Sequence, residues 1–308
     1  MTEPPRVVTL LPSATEIVYA LGVEPVATSH ECDQPPAAAE LPAVNRSRVD
    51  PTASPGRIDD QVISAERAGG VYEIDLAALE QCDPDLVISQ GICEVCAVDA
   101  VLVEAATEEL GLDCELLTTD PHSLADVLED IDRIGAALNQ RTAAERLLGE
   151  LRPRVEAVTR QVAGASTPRV MVLDWTDPVM IAGHWVPEMV EMAGGRHGPT
   201  EPTAEGPSDA YGAIRAYDPE VLVVGPCGFD LEQTIAHLDS LREREGWQTL
   251  TAVQNDRVYL LDGHRYLNRP GPALVDTLEF LAATIHPGRF SEPPSDAVRR
   301  LPATITGR

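Results

Sequence analysis

The chain has 308 residues, and its 23 basic and 50 acidic residues give it a formal net charge of −27. This charge argues against nucleic acid or an anionic membrane surface as a partner, because each carries charge of the same sign. Apolar residues make up 44% of the chain, which is typical of a packed globular protein, and the length predicts about two domains.

The acidic residues are spread along the whole chain, and every basic residue is an arginine. Repulsion between so many carboxylates destabilises a compact state in dilute salt. At molar salt the Debye length is only about 3 Å, so most of that repulsion is screened. We therefore expect a salt-adapted, halophilic protein; the alternative is an acidic protein without a salt requirement.

In the first half of the chain, short apolar runs alternate with amphipathic stretches. The apolar runs predict strands at residues 6–10, 25–29, 85–89 and 113–117, and the amphipathic stretches predict helices at 15–21, 76–81 and 101–110. Strands that alternate with helices are typical of parallel α/β sheets.

The middle of the chain shows only helical patterns. Ser123 and Asp126 have the spacing of a capping box, and a second helix is predicted over residues 142–162. A helix of that length spans about 30 Å, enough to bridge two domains, and Pro153 predicts a kink in it.

The second half repeats the alternation, with strands predicted at 169–173, 179–181, 221–224 and 257–261, and helices at 187–193, 230–244 and 272–285. The resulting fold class is α/β, with two lobes built on parallel sheets and joined by a long bridging helix. The predicted domains are an N-terminal lobe (1–120), the helical bridge (121–165), a C-terminal lobe (166–288) and a flexible tail (289–308).

Ligands of open parallel sheets bind beyond the carboxyl ends of the strands, and several such loops carry metal-ligating side chains. The residues concerned are His30, Cys32, Cys93, Cys96 and Cys227. Thiolates and imidazole suit zinc, an iron–sulfur centre or axial coordination of a corrin-bound cobalt. A single Cys-x-x-Cys is a weak signal, so redox-active thiols and simple packing are the alternatives.

Aromatic residues and histidines also occur in or near these loops, although aromatics are only 4% of the chain. Exposed Trp and Tyr rings in a cleft suit a large, flat or apolar ligand, and histidines there could donate to a cofactor or ligate it. The alternatives are core packing for the rings and structural hydrogen bonds for the histidines. The candidate residues are Trp175, His184, Trp185, Tyr211, His264 and Tyr266.

Common catalytic templates are absent from the sequence. It contains no Gly-x-Ser-x-Gly, no phosphate-binding loop with lysine and no His-Glu-x-x-His, so ligand binding is favoured over turnover. The N-terminus has no signal-peptide pattern and no apolar run approaches the ~20 residues of a membrane span, which predicts a cytoplasmic protein. An extracytoplasmic location is the alternative if a signal has been removed.

Motifs distributed along residues 6–286 resemble the cobalamin- and iron-siderophore-binding proteins of ABC importers, most closely the cobalamin-binding branch. They are RVVTLLPSATEIVYALG (6–22), DQPP (33–36), PDLVI (84–88), AGG (193–195) and DPE (218–220). The resemblance implies two Rossmann-like lobes rigidly bridged by a helix, with the ligand between them. It places His30 and Glu31 in a ligand-contacting loop, and residues 264–266 near an aromatic contact.

The chain also departs from that family. The receptors dock on their permease through one glutamate in each lobe, and the register puts Ala77 and Gly212 at those positions. Glu73, Glu80 or Asp209 are possible substitutes. Five further motifs indicate a soluble, non-exported branch: HECD (30–33), CEVC (93–96), GHWVPEM (183–189), PCGFD (226–230) and RPGP (269–272).

The sequence thus favours a cytoplasmic protein that binds a corrinoid such as cobalamin between its lobes, without chemistry and with little hinge motion. The corrin would lie against Trp185 and Tyr266, with a contact from His30, Cys32 or Cys93. One alternative is an importer receptor for cobalamin or an iron chelate, with an ABC permease as partner. Another is a zinc- or iron-dependent or thiol-redox enzyme that uses Cys93 and Cys96.

Overall fold

A computed structural model describes residues 5–91, 98, 100–200 and 209–302. The chain divides into two compact units. The first contains Met1–Ala53, Asp60–Leu151 and Pro270–Pro272, and the second contains Ser54–Asp59, Arg152–Arg269 and Ala273–Arg308.

The first unit is built on a parallel sheet. Its strands are β1 (Val7–Thr9), β2 (Ala27–Thr28), β3 (Asn45–Ser47), β4 (Tyr72–Ile74), β5 (Leu86–Gln90) and β6 (Glu115–Thr119). Four of them form the sheet in the order β2-β1-β5-β6, and all three of its pairings are parallel, as predicted. Strands β1 and β5 are buried along their whole length, and each begins with consecutive apolar residues, as is typical of strands covered on both faces.

Strands β3 and β4 form a separate antiparallel pair that the sequence patterns did not predict. Asn45 pairs with Ile74 and Ser47 with Tyr72. The pair lies beside the end of β2, because the Val44 N–H donates to the Thr28 carbonyl at 3.0 Å. This pairing fixes the backbone on both sides of the loop that follows β2.

The helices of this half are α1 (Pro12–Ala20), α2 (Pro55–Arg67), α3 (Leu76–Cys82), α4 (Ala100–Leu110), α5 (Leu124–Ala137) and α6 (Arg141–Val162). Helix α5 begins at the predicted capping box, in which Ser123 and Asp126 each accept a backbone N–H of the other. Helix α6 continues through Pro153 and runs from the first unit into the second. Helix α2 was not predicted.

The second unit contains strands β7 (Arg169–Thr176), β8 (Val179–Ile181), β9 (Arg196–His197), β10 (Val221–Val224), β11 (Val258–Leu261) and β12 (Val298–Leu301). The sheet order is β12-β11-β10-β7-β8, and β9 also pairs with β7. The pairs β7–β10, β10–β11 and β7–β9 are parallel, whereas β8 and β12 run antiparallel to their neighbours. The sheet is therefore mixed, and only its centre is parallel as predicted.

Its helices are α7 (Val186–Met192), α8 (Ala210–Tyr217), α9 (Leu231–Ala236), α10 (Asp239–Arg242), α11 (Thr251–Gln254) and α12 (Leu274–Ile285). The prediction of a single helix over 230–244 is wrong, because the helix is interrupted between α9 and α10. The break brings both Leu238 and Leu241 into the core, where they are buried.

The flexible tail predicted for residues 289–308 is also wrong over part of its length. Val298–Leu301 adds an antiparallel edge strand to β11, and Ala297 and Val298 are buried. The physical reason is that this segment gains both ladder hydrogen bonds and apolar burial from the sheet edge. Residues 303–308 lie outside the described residues.

Candidate functional site

The carboxyl edge of the first sheet carries His30 immediately after β2. The His30 side chain is 27% exposed, whereas the neighbouring Ser29 is buried. Its ring lies 5.8 Å from the ring of Tyr72, with the planes tilted by 53°, and Tyr72 is itself buried in β4. A half-exposed imidazole is thus supported on one side by a buried aromatic ring.

Asn45 of β3 holds His30 through two hydrogen bonds. The Asn45 Oδ1 accepts the backbone N–H of His30 at 2.9 Å and lies 3.2 Å from the His30 Nδ1. A backbone N–H can only donate, so this atom of Asn45 is the carbonyl oxygen and the imidazole Nδ1 must donate to it. The imidazole Nε2 is consequently the ring nitrogen that keeps its lone pair.

Glu31 lies next to this nitrogen, with its Oε1 3.8 Å from the His30 Nε2. That separation is longer than a hydrogen bond. An imidazole whose Nδ1–H is held by a carbonyl oxygen, with Nε2 left as the base, is the usual arrangement of a metal-ligating histidine. In this arrangement Nε2 is the nitrogen of His30 that can act as a base, and Glu31 places a carboxylate beside it.

The cysteines behave differently from His30. Cys32 is buried, and the Thr15 hydroxyl lies 3.0 Å from its Sγ as a donor. Cys227 is half-buried after β10, where its backbone N–H donates to the Asp174 carbonyl. Across the described part of the chain, no three His, Cys, Asp or Glu side chains are grouped to hold a metal ion. A zinc site is therefore not supported, and the predicted ligands Cys93 and Cys96 lie outside the described residues.

In the second unit, a turn of π-helix at Gly263–Leu267 follows β11 and carries two predicted site residues, His264 and Tyr266. Its start is tightly packed: a Cβ atom on Gly263 would lie 2.1 Å from the Pro226 carbonyl oxygen. The backbone of Gly225 and Pro226 passes so close to Gly263 that only glycine fits at this position. Short π-helical segments are frequent at functional sites.

His264 on this turn is paired with a buried arginine. The Arg269 side chain, only 5% exposed, places its Nη2 2.8 Å from the His264 Nε2. A guanidinium can only donate, so the lone pair of this Nε2 is occupied and the ring proton lies on Nδ1. The same Nη2 also lies 3.4 Å from the His264 Nδ1, so the guanidinium contacts both ring nitrogens and the Nε2 is not available to a metal. The sequence did not reveal this difference between His264 and His30.

The predicted aromatic residues differ in their burial. Tyr266 is half-buried and packs edge-on against Phe280, with ring centroids 5.2 Å apart. Trp185 is buried, and its indole N–H donates to the Leu267 carbonyl at 3.0 Å, so it supports the π turn. Trp175 is buried as well, beside Phe229.

Two other predicted residues of this unit have contrasting surroundings. His184 is exposed, with a backbone φ of 51°, at the start of α7. Tyr211 is buried on α8 under the Arg244 guanidinium, which lies 5.4 Å from its ring centre. Burial raises the pKa of Tyr211, and its hydroxyl makes no hydrogen bond to the described residues.

Two carboxylates at the carboxyl edge of the second sheet were missed by the sequence reasoning. Burial raises the pKa of Asp174 on β7 and of Asp262 after β11. Asp262 also accepts the Arg265 N–H at 2.8 Å, which opposes the shift and starts the π turn. An unusually acidic chain offers no pattern that separates these two from the exposed carboxylates.

The positions expected to dock a permease carry no free carboxylate. Ala77 is exposed on α3, and Gly212 lies in the first turn of α8, where its N–H donates to Asp209 at 2.8 Å. Glu73 is held by Arg46 at 2.7 Å and by Arg48 at 2.8 Å. Two of the three possible substitutes, Asp209 and Glu73, are thus already engaged. In the part of the chain that is described, no helix is long and apolar enough to cross a membrane.

Comparison with known proteins agrees with this fold. The chain is 22% identical over 293 residues to an uncharacterized ABC transporter substrate-binding lipoprotein of Bacillus subtilis, covering 94% of this chain and 82% of that protein. It is 25% identical over 279 residues to a vitamin B12-binding protein of Vibrio cholerae, covering 89% and 86%.

Among solved structures, a periplasmic heme binding protein from Pseudomonas aeruginosa has the same fold, with a TM-score of 0.71 at 21% identity and coverage of 99% and 100%. The sequence profile of the family described as periplasmic binding protein matches residues 7–264, which is most of the chain. The chain therefore belongs to the periplasmic binding protein family.

Proposed function

We propose that this protein binds a metal tetrapyrrole, with a corrinoid such as cobalamin as the first candidate and haem as the second, and that it does so without chemistry. The observation that carries the proposal is His30, whose Nδ1 is held by Asn45 while its Nε2 keeps a lone pair. Cobalt in a corrin and iron in a porphyrin both accept an imidazole nitrogen as axial ligand.

The relatives support the same ligand class. One is named for vitamin B12 binding and another for heme binding, and both ligands are large flat rings around a metal. Within the second unit taken by itself, Tyr266 and His264 on the π turn are further candidates for contact with a flat ring. In the first unit, Glu31 beside His30 is a further candidate contact. In the second unit, taken by itself, the exposed His184 is a candidate contact, and the buried Trp185 and Tyr211 are candidates for packing support.

The experiment is a titration of the apo protein at high salt with aquocobalamin, dicyanocobinamide and hemin, followed by Trp quenching and the visible bands of the ligand. We expect binding of at least one ring tighter than about 10 µM, or about −7 kcal/mol, with a shift of its visible band. In His30→Ala the band shift should disappear.

Two further variants make this test specific. His264→Ala should weaken binding but keep the band shift, because the Nε2 of His264 is already occupied by Arg269. His237→Ala, which changes a histidine packed beside Phe229, should alter neither the affinity nor the band shift. Failure of all three rings to bind below 10 µM, or a full band shift in His30→Ala, would contradict the proposal.

A second proposal concerns the partner and the location. Family membership and the Bacillus relative favour an ABC permease as partner, whereas Ala77 and Gly212 at the docking positions favour a cytoplasmic protein that does not dock. Fractionation of the source cells separates the two. Recovery in the soluble cytoplasmic fraction supports the cytoplasmic protein that does not dock. Recovery in the membrane fraction or in the extracellular fraction supports the importer receptor.

A further inference from the structure

We infer that Asn45 is a positioning residue for His30, which fixes the imidazole in the tautomer that presents Nε2 to a metal centre. The inference rests on the proposed function, because it assigns a task to a second residue of the same site. Asn45 touches His30 and not the ligand, so it acts through the histidine.

The direction of the two hydrogen bonds assigns the tautomer. The Asn45 Oδ1 accepts the His30 backbone N–H at 2.9 Å, which fixes the orientation of the amide. The same oxygen then accepts the His30 Nδ1–H at 3.2 Å. Free imidazole side chains favour the proton on Nε2, so the protein holds His30 in the opposite tautomer.

The backbone around Asn45 is built to keep this geometry. Asn45 is 5% exposed and pairs with Ile74 in the β3–β4 ladder. At the preceding residue, the Val44 N–H donates to the Thr28 carbonyl and the Val44 carbonyl accepts the Asp75 N–H. The amide of Asn45 therefore has little freedom to turn away from His30.

The other half of the same amide argues that Asn45 is not present for stability alone. Its Nδ2 is buried and makes no hydrogen bond to the described residues. An unsatisfied buried amino group lowers stability, so a residue selected only for packing would be apolar or smaller. Asn45 thus carries an unsatisfied Nδ2 amino group, whereas the Oδ1 of the same amide accepts the hydrogen bonds of His30.

Tautomers can be measured directly in the apo protein by ¹⁵N NMR of the imidazole nitrogens. We expect the wild type to show a protonated Nδ1 and an unprotonated Nε2 on His30. Asn45→Leu removes the acceptor at similar volume and should move the proton towards Nε2. Asn45→Asp keeps an acceptor oxygen and should restore the wild-type tautomer, while Ser47→Ala on the same strand should leave it unchanged.

Hemin binding provides the second readout. Loss of the partner of a metal-ligating histidine typically lowers affinity by 10- to 100-fold, so Asn45→Leu should bind hemin about 10-fold or more weakly, with a diminished band shift. Asn45→Asp should retain both. If Asn45→Leu does not fold, Asn45→Asp still decides the matter, because a change of tautomer there would refute the assigned role.

The two proposals fail in different ways. If the wild type binds hemin through His30 and Asn45→Leu leaves the tautomer and the band unchanged, the role of Asn45 is refuted and the proposed function stands. If the wild type binds none of the three rings, the proposed function is refuted, and the role of Asn45 towards a metal centre is refuted with it.

Discussion

Asp130 is a carboxylate that the first unit buries at a measurable cost in stability. Its side chain on α5 is only 6% exposed, and its Oδ1 lies 2.6 Å from the Arg133 Nη1. Arg133 also donates to the Thr118 carbonyl at 3.0 Å, which ties α5 to β6. Despite this partner, burial raises the pKa of Asp130 to about 6 from an ordinary value of 3.8.

The shift fixes both the size and the sign of the effect. A difference of about two pKa units corresponds to about 3 kcal/mol. The folded protein binds the proton of Asp130 more tightly than the unfolded chain does. Between pH 3.8 and about 6 the free energy of unfolding therefore falls as the pH rises, and above pH 6 the full cost is present.

Asp130→Asn removes the charge and keeps an oxygen that can accept from Arg133. We expect it to raise the free energy of unfolding by about 1–3 kcal/mol at pH 7.5 and to change it little at pH 4. The matched control is Glu129→Gln, because Glu129 is adjacent on the same helix but exposed. That change removes the same charge from the surface and should give less than about 0.5 kcal/mol.

The assay is urea unfolding followed by far-ultraviolet circular dichroism between pH 4 and 7.5, at constant high salt. High salt screens the general repulsion within a protein of net charge −27. The remaining difference in the free energy of unfolding between the two variants therefore reports the burial of Asp130. A loss of stability in Asp130→Asn at pH 7.5, or a gain equal to that of Glu129→Gln, would refute the reasoning.

Three further predictions concern backbone packing, the half-buried His197 and salt. Gly263→Ala should lower the free energy of unfolding by about 2 kcal/mol or more, because the added Cβ would meet the Pro226 carbonyl. Gly149→Ala, on the exposed face of α6, should instead raise the free energy of unfolding by about 0.5–1 kcal/mol. Denaturant unfolding tests both variants. Burial lowers the pKa of His197, whose Nε2 accepts the Val172 N–H at 3.3 Å. The free energy of unfolding should therefore fall as the pH drops below 6.5. His197→Gln should reduce this dependence of stability on pH, which thermal melts at several pH values measure. Transfer from about 3 M to 0.1 M salt should unfold the protein, and unchanged circular dichroism would contradict salt adaptation.

Much of the fold could be predicted from the sequence because its central strands are buried on both faces. Strand β10 is entirely apolar and β5 begins with three consecutive apolar residues, so local composition identifies them. The short strands could not be found in this way. Asn-Arg-Ser in β3 and Val-Arg-Arg-Leu in β12 have the composition of loops, and only pairing with a distant strand makes them extended.

The candidate site was predictable only in part, for the same reason. His30 stood out because it follows a strand, but its partner Asn45 comes from β3, which the sequence patterns missed. His264 stood out equally, and nothing local showed that Arg269 occupies its Nε2. Residue type and position thus make both histidines candidates, whereas the hydrogen bonds on each ring come from residues that no local pattern connects to them.

Carboxylates in this chain show why abundance alone does not reveal a binding surface. Asp75 and Asp230 begin α3 and α9 by accepting backbone N–H groups of the first turn, and Asp209 does so for α8. Both oxygens of Glu73 are taken by Arg46 and by Arg48. Each of these groups already accepts a hydrogen bond within the protein, although an ionised carboxylate has further acceptor sites. The number of acidic residues therefore does not identify a docking surface, because many of these carboxylates already cap helices or pair with arginines of the same chain.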